Sequence, residues 1–242
     1  MRWLPFCHSP WQRLARRYRH QATLAWPAPL AERFATPLVS GAQPLYQQSV
    51  LALDFETSGL DPARDNIVSV GFVALRGGVV RLETARHLLV QSPPPLQDKA
   101  ICLHHISPDM QRHGLLPEQA LGQLWQALDS QIVLGHGTVV EQAFLGQYFQ
   151  RHGLPAPALV WLDTLKIEQS LPCPWGREQA PPGYWQLAQV RRRYGLPDYP
   201  AHHALVDAVA CAELLLAQID RLYRGEAATA ATVAALYNQS MS

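Results

Sequence analysis

Apolar positions along this chain change rhythm about half-way. Three stretches, 50–55, 67–75 and 79–90, are apolar or alternate apolar with polar, with turn signals between them at Gly59-Leu60-Asp61-Pro62 and Gly77-Gly78. Short runs bounded in this way predict three strands joined by short connections and paired antiparallel. From Pro117 the spacing becomes helical, with Leu121, Leu124, Trp125 and Leu128 on one face of a helix over 117–128. Ile132-Val133-Leu134 predicts a short buried strand and Thr138 to His152 a helix. Leu159 to Leu162 predicts another strand, ending at Asp163, which reads first as a helix N-cap. A proline-rich loop over 172–182 then leads to helices near 184–194 and 203–223, and the Ala-rich stretch 227–238 predicts a last one. Strands first, then strand and helix in alternation, is the pattern of an α/β domain with a mixed sheet.

Residues 1–45 differ in character. They hold Trp3, Trp11 and Trp26, four prolines from Pro27 to Pro44, and arginines that suggest a basic helix around Trp11–His20. This leader is expected to pack on a domain spanning 46–225, with 226–242 as a C-terminal segment. Over the whole chain the formal net charge is +1, so there is no strong overall field for a polyanion. Charge is nevertheless unevenly spread. Residues 1–35 carry Arg2, Arg13, Arg16, Arg17, Arg19 and Arg33 against Glu32, leaving 14 basic and 18 acidic residues for the remainder. The leader's arginines are therefore the candidates for phosphate contacts, and removing residues 1–40 is expected to weaken binding more than chemistry. Cys7, Cys102, Cys173 and Cys211 are scattered, which disfavours a zinc finger or a disulfide framework and points to a reducing, cytoplasmic compartment. No apolar run reaches the roughly 20 residues of a membrane span, so no membrane partner is expected.

The candidate chemistry lies where strands end and helices begin. Asp54 and Glu56 follow the apolar run Val50–Leu53 and would project together from one face of a strand. Two adjacent buried carboxylates repel each other and resist desolvation unless neutralised. A divalent cation with hard oxygen ligands, Mg²⁺ or Mn²⁺, is the simplest neutraliser; a solvated acidic turn is the alternative. Two further clusters can converge on the same place. Gly135-His136-Gly137-Thr138-Val139-Val140-Glu141 places Glu141 in a first helical turn. His202-His203-Ala204-Leu205-Val206-Asp207 opens the long helix.

Asp54-Phe55-Glu56-Thr57-Ser58-Gly59-Leu60, the Gly-His segment leading into an acidic helix, and His202-x-Ala204-Leu205-x-Asp207 resemble, in order and spacing, the motifs of DnaQ-like, DEDDh-type 3′→5′ exonucleases. The family includes proofreading subunits of replicative polymerases and RNA-trimming enzymes, and the resemblance runs over roughly residues 48–222. It implies a ribonuclease H-like fold, a mixed sheet flanked by helices. It also implies removal of nucleotides from single-stranded DNA or RNA 3′ ends, as 5′-monophosphates, by a two-metal mechanism, possible association with a DNA polymerase included. Asp54, Glu56, Glu141 and Asp207 would be the metal ligands, with Asp54 bridging two ions, and His202 the general base. His203, four before Asp207, is the rival base.

Two departures from the family pattern stand out. Glu141 replaces the usual aspartate, and Gly137 stands where the family has asparagine. They leave open a catalytically impaired module that binds nucleic acid or a polymerase subunit. A zinc hydrolase ranks last, for want of a His-x-x-x-His pair. Resemblance further makes Thr57, Leu60 and Phe144 candidates for holding the terminal nucleotide, although core packing competes for Phe144. His104-His105-Ile106-Ser107 is similar to the family's His-Gly-Ile-Thr loop, with His105 as the candidate contact and the register open by one. Trp175 and Trp185 are the tryptophans placed to stack on bases.

Overall fold

The computed structural model describes residues 9–92, 104, 106–176, 178–223 and 231–241. Its centre is a five-stranded sheet of order β3-β2-β1-β4-β5. β1 (Ser49–Thr57), β2 (Ile67–Arg76) and β3 (Val79–Leu89) form the antiparallel half. β4 (Ile132–Gly135) and β5 (Val160–Asp163) run parallel to β1. The positive φ values of Gly77 and Gly78 make the tight β2–β3 turn. Parallel strands need crossovers, and this requirement places α5 (Val139–Arg151) between β4 and β5.

Period-2 alternation sorts β1 between two helical layers. Leu51, Leu53 and Phe55 face the layer of α4 (Pro117–Ala127) and α5. Val50, Ala52, Asp54 and Glu56 face α8 (Ala204–Tyr223), whose buried residues include Ala208, Cys211, Leu215 and Ile219. The two carboxylates thus leave the sheet under the first turn of the longest helix.

The proline-rich segment gives way to α7 (Leu187–Arg193), shorter than the helix expected over 184–194. Gly183 takes a φ of 78° and its carbonyl accepts the Gln186 N–H in a turn, so the helix starts only after Gln186. The last helix, α9 (Val233–Ser240), starts later than the Ala-rich stretch suggests. Thr232 caps it, and the backbone before it pairs with Pro44 and Leu45. Residues 224–230 lie outside the described set.

Composition concealed three helices: α2 (Ala28–Ala35), α3 (Pro108–Arg112) and α6 (Thr164–Ser170). Each is eight residues or fewer, too short for the period to declare itself. α6 does begin at the expected cap, with the Asp163 carboxylate accepting from Leu165 and Lys166 N–H groups.

The leader contributes to the same core. α1 (Pro10–Gln21) opens with a capping box between Ser9 and Gln12 and buries Leu14 and Tyr18; α2 buries Leu30 and Phe34. Trp26 stacks on Phe34 with centroids 4.5 Å apart and meets Phe149 of α5 edge-on. Gln21 bonds the backbone of Ala156 and Ala158, and Gln131 reaches Thr36 and Tyr18.

Candidate active site

The site begins at the end of β1. Asp54 and Glu56 share a face, while Phe55 turns into the core. A register shift between Glu56 and Thr57 skips one residue of β2, so that Thr57 pairs with Ile67. The following turn is tied internally: Ser58 and Asp61 contact the Asp65 carboxylate, and the Thr57 hydroxyl donates to the Gly59 carbonyl at 2.7 Å. Leu60 stands at the tip, 80% exposed.

Asp207, in the first turn of α8, meets this face. One carboxylate oxygen each from Asp54, Glu56 and Asp207 lies within 4.8 Å of the other two. Gly71 permits the approach. It pairs with Asp54 on one side and His87 on the other, and a methyl group there would overlap the Ala204 carbonyl carbon and the Leu205 nitrogen. A glycine inside a strand pattern signals such close backbone approach; the sequence reading passed over it.

His202 precedes α8 with φ 64°, a left-handed conformation that disfavours a residue with a Cβ. Its N–H donates to Asp207 Oδ2 at 2.9 Å. Its side chain joins Asp54, His136 and Asp207 in lining a cleft of about 310 Å³. His203 turns the other way. Its ring packs on His87 of β3 at 4.2 Å between centroids, and its carbonyl accepts the Asp207 N–H at 3.0 Å. His104 points Nδ1 at the Glu56 carboxylate, with its ring 6.4 Å from that of His202. His105 lies outside the described residues.

Glu141 approaches from the first turn of α5, fully enclosed, with a hydrogen bond to the Phe55 backbone. Burial raises its pKa to about 7, and the charges of Asp163 and Glu56 add to the rise. Burial also raises Asp54 well above the ordinary carboxylate range, with Glu141, Glu56 and Asp207 repelling its negative charge. Asp207 is also raised by burial, against the hydrogen bond from His202. This cluster holds more negative charge than the protein compensates. Glu56 Oε1 and Glu141 Oε2 are buried without hydrogen-bond partners, an arrangement costly for an anion. Oxygen donors, mutual repulsion and two orphaned carboxylate atoms together fit hard divalent cations.

Gly137, in place of the family's asparagine, has a φ of 75°. Its N–H and that of Thr138 each donate to Asp163 at 2.9 Å, so the carboxylate that caps α6 also holds the turn leading into α5 and Glu141. That second role was not foreseen. His136 bonds Thr164 Oγ1 at 2.9 Å and the Trp185 carbonyl at 2.8 Å. Burial lowers its pKa.

Across the cleft, Gln186, Leu187 and Ala188 form one wall, and Pro197 to Ala201 contribute to the next. The buried Arg191 fastens the two. It pairs with Glu213 at 2.8 Å, donates to the Ala210 and Pro197 carbonyls and stacks on Tyr199. Phe144 does not line this cleft. It is buried beside a separate cavity of about 110 Å³ with Ile67, Val70 and Leu121.

The model of the exonuclease family, of the RNase T group, matches residues 51–215. The chain belongs to that family. Its kind is that of the DnaQ-like 3′→5′ exonucleases, and the acidic cluster fits a metal-dependent nuclease. The chain is 26% identical over 176 residues to the PolC-type DNA polymerase III of Thermotoga maritima, covering 71% of this chain but 12% of that protein. The corresponding protein of Lacticaseibacillus paracasei is 30% identical over 122 residues, 50% of this chain and 8% of the relative. The chain therefore spans about an eighth or less of the curated relatives it matches. Among solved structures, the nuclease domain of 3′hExo, a DEDDh family member bound to rAMP, superposes with TM-score 0.59 at 19% identity. That match covers 74% of this chain and 95% of that one. Exonuclease X in complex with 5′ overhanging duplex DNA gives 0.57 at 20%, covering 78% and 99%. These likenesses establish the fold as ribonuclease H-like. Among the described residues, no helix is long and apolar enough to cross a membrane.

Proposed function

We propose that this exonuclease removes nucleotides one at a time from the 3′ end of single-stranded DNA or RNA, releasing nucleoside 5′-monophosphates. Asp54, Glu56, Asp207 and Glu141 are the residues that would hold two divalent cations, Mg²⁺ or Mn²⁺. Such a pair supplies charge stabilisation at the phosphate and a water acidic enough to attack it. His202 would serve as the general base that takes a proton from the attacking water. The one observation that carries this reading is the convergence of three carboxylates within 4.8 Å at a cleft that His202 also lines.

The strained backbone of His202 supports its role over His203. Its N–H is engaged by a cluster carboxylate, so its side chain is held at the cleft mouth, while the His203 ring is occupied against His87. Glu141 is the fourth ligand in this reading: its charge acts on Asp54 and the turn before it is held by Asp163, although its carboxylate is not among the three that lie within 4.8 Å of one another. Thr57, Leu60 and His105 remain candidate contacts for the terminal nucleotide, with Leu60 free at the loop tip to slide under a base. Similarity to PolC-type polymerases suggests work alongside a polymerase.

The test is a gel assay on 5′-labelled single-stranded DNA and RNA of one sequence, with Mg²⁺, Mn²⁺ or chelator, comparing wild type and Asp54→Ala. The expected result is a ladder receding from the 3′ end, dependent on metal and absent in the variant. No degradation of either polymer with any metal would leave a nucleic-acid-binding module, with Glu141 the first suspect.

A further inference from the structure

Trp26, Trp125 and Trp161 are buried, whereas Trp175 is 49% exposed on the proline-rich loop. A half-exposed indole leaves a flat apolar face open to stacking. Its surroundings hold it in place. Trp175 meets Tyr184 edge-on at 5.2 Å, and Tyr184 meets Trp185 edge-on at 4.8 Å. The Arg193 guanidinium lies 3.9 Å from the Tyr184 ring centre, donates to the Tyr184 carbonyl at 2.8 Å and pairs with Glu168. Pro172, Pro174, Pro181 and Pro182 restrict the loop further. The result is a braced aromatic ledge.

The ledge continues into the cleft. The Trp185 carbonyl accepts from His136, which lines the cleft with Asp54 and His202, and the next residues, Gln186 to Ala188, form its wall. An enzyme that consumes a strand from its 3′ end must leave the remaining 5′ portion running out over some neighbouring surface. We propose that Trp175 and Tyr184 are that surface, stacking unpaired bases of a single strand 5′ to the scissile bond. Every base has a π face, so such contacts serve any sequence. The proposal rests on the exonuclease reading but concerns binding rather than chemistry.

The experiment compares wild type, Trp175→Ala and Trp175→Phe on a dinucleotide and on an 8-nucleotide single strand of DNA. Turnover is followed with metal, and binding by anisotropy of the labelled 8-mer in chelator. Trp175→Ala should raise KM for the 8-mer about 5- to 150-fold, the range of one base–aromatic stack. Its kcat and its dinucleotide kinetics should stay within about twofold, and Trp175→Phe should retain most of the affinity. Equal losses on both substrates, an 8-mer that wild type binds no tighter than the dinucleotide, or an unchanged 8-mer KM would overturn the ledge. If wild type hydrolyses nothing, the exonuclease reading fails on its own, and the anisotropy comparison still decides the ledge: weaker 8-mer binding by Trp175→Ala supports it and equal binding refutes it. A partner protein that docks on Trp175 instead would appear as unchanged nucleic-acid binding.

Discussion

At the scale of single residues, the site is defined by negative charge crowded beyond what the protein compensates. Glu141 states the consequence most clearly. Its carboxyl keeps a proton in the folded protein up to about pH 7 and loses it from about 4.5 when unfolded. The metal-free protein should therefore lose stability as pH rises from about 4.5 through 7, by a few kcal/mol at most from this group. His87 and His136, whose pKa values burial lowers, tilt the wild-type curve the other way. The readout is thus a difference: Glu141→Gln should gain Tm relative to wild type between pH 5 and pH 8 in chelator. A parallel pair of curves would mean that Glu141 does not titrate as described. Saturating Mn²⁺ should shrink that gain, since a bound cation neutralises what the proton otherwise must. The two histidines separate more simply. His202→Ala should lower kcat about 10²- to 10⁴-fold, as loss of a general base does, and His203→Ala should act mainly through stability. The opposite order would exchange their roles.

At the scale of elements, one residue without a side chain governs how the strand carboxylates meet the helix carboxylate. Gly71 sits between Asp54 and His87 in the sheet and lets the start of α8 lie on β2. Gly71→Ala should push α8 outward and draw Asp207 away from Asp54 and Glu56. A misplacement of about 1 Å costs roughly 10² in rate, so activity and metal affinity should fall far more than global stability. Circular dichroism melts and Mn²⁺ titration of the same variant check this, and unaltered Mn²⁺ affinity would refute it. The antiparallel half of the sheet and the long helix were readable because each runs for nine residues or more. Periodicity needs that length. α3 and α6 were not readable, since five and seven residues cannot show a period. Asp163 announced the start of α6 but not its hold on Gly137, because that bond spans 26 residues.

At the scale of the molecule, the leader proves to be structural as well as basic. α1 and α2 supply Leu14, Tyr18, Leu30 and Phe34 to the main core, and truncating any one such side chain to alanine costs about 2–5 kcal/mol. Removing residues 1–40 would therefore unfold the protein rather than test its arginines. Arg13, Arg16, Arg17 and Arg19 face outward from α1, and Arg16→Ala with Arg17→Ala is the cleaner experiment. If both meet phosphate, the slope of log K against log salt should flatten by about 1.4, or about 0.7 per contact on a single strand. An unchanged slope in a filter-binding salt titration would confine the helix to a structural role. The family model matches 51–215, and the leader lies outside the matched residues.

The sequence by itself determined the mixed α/β sheet, the family, and the carboxylates and histidines that could serve chemistry, because period, turn residues and short motifs are local properties of the chain. Tertiary structure decided which of them meet. It turned His202 toward the cleft and His203 onto His87, brought α8 down over Gly71, drew Phe144 away to another cavity, and sank the basic leader into the core. Each of these depends on contacts between segments far apart in the chain, where close packing and the desolvation of charge, rather than local pattern, set the outcome.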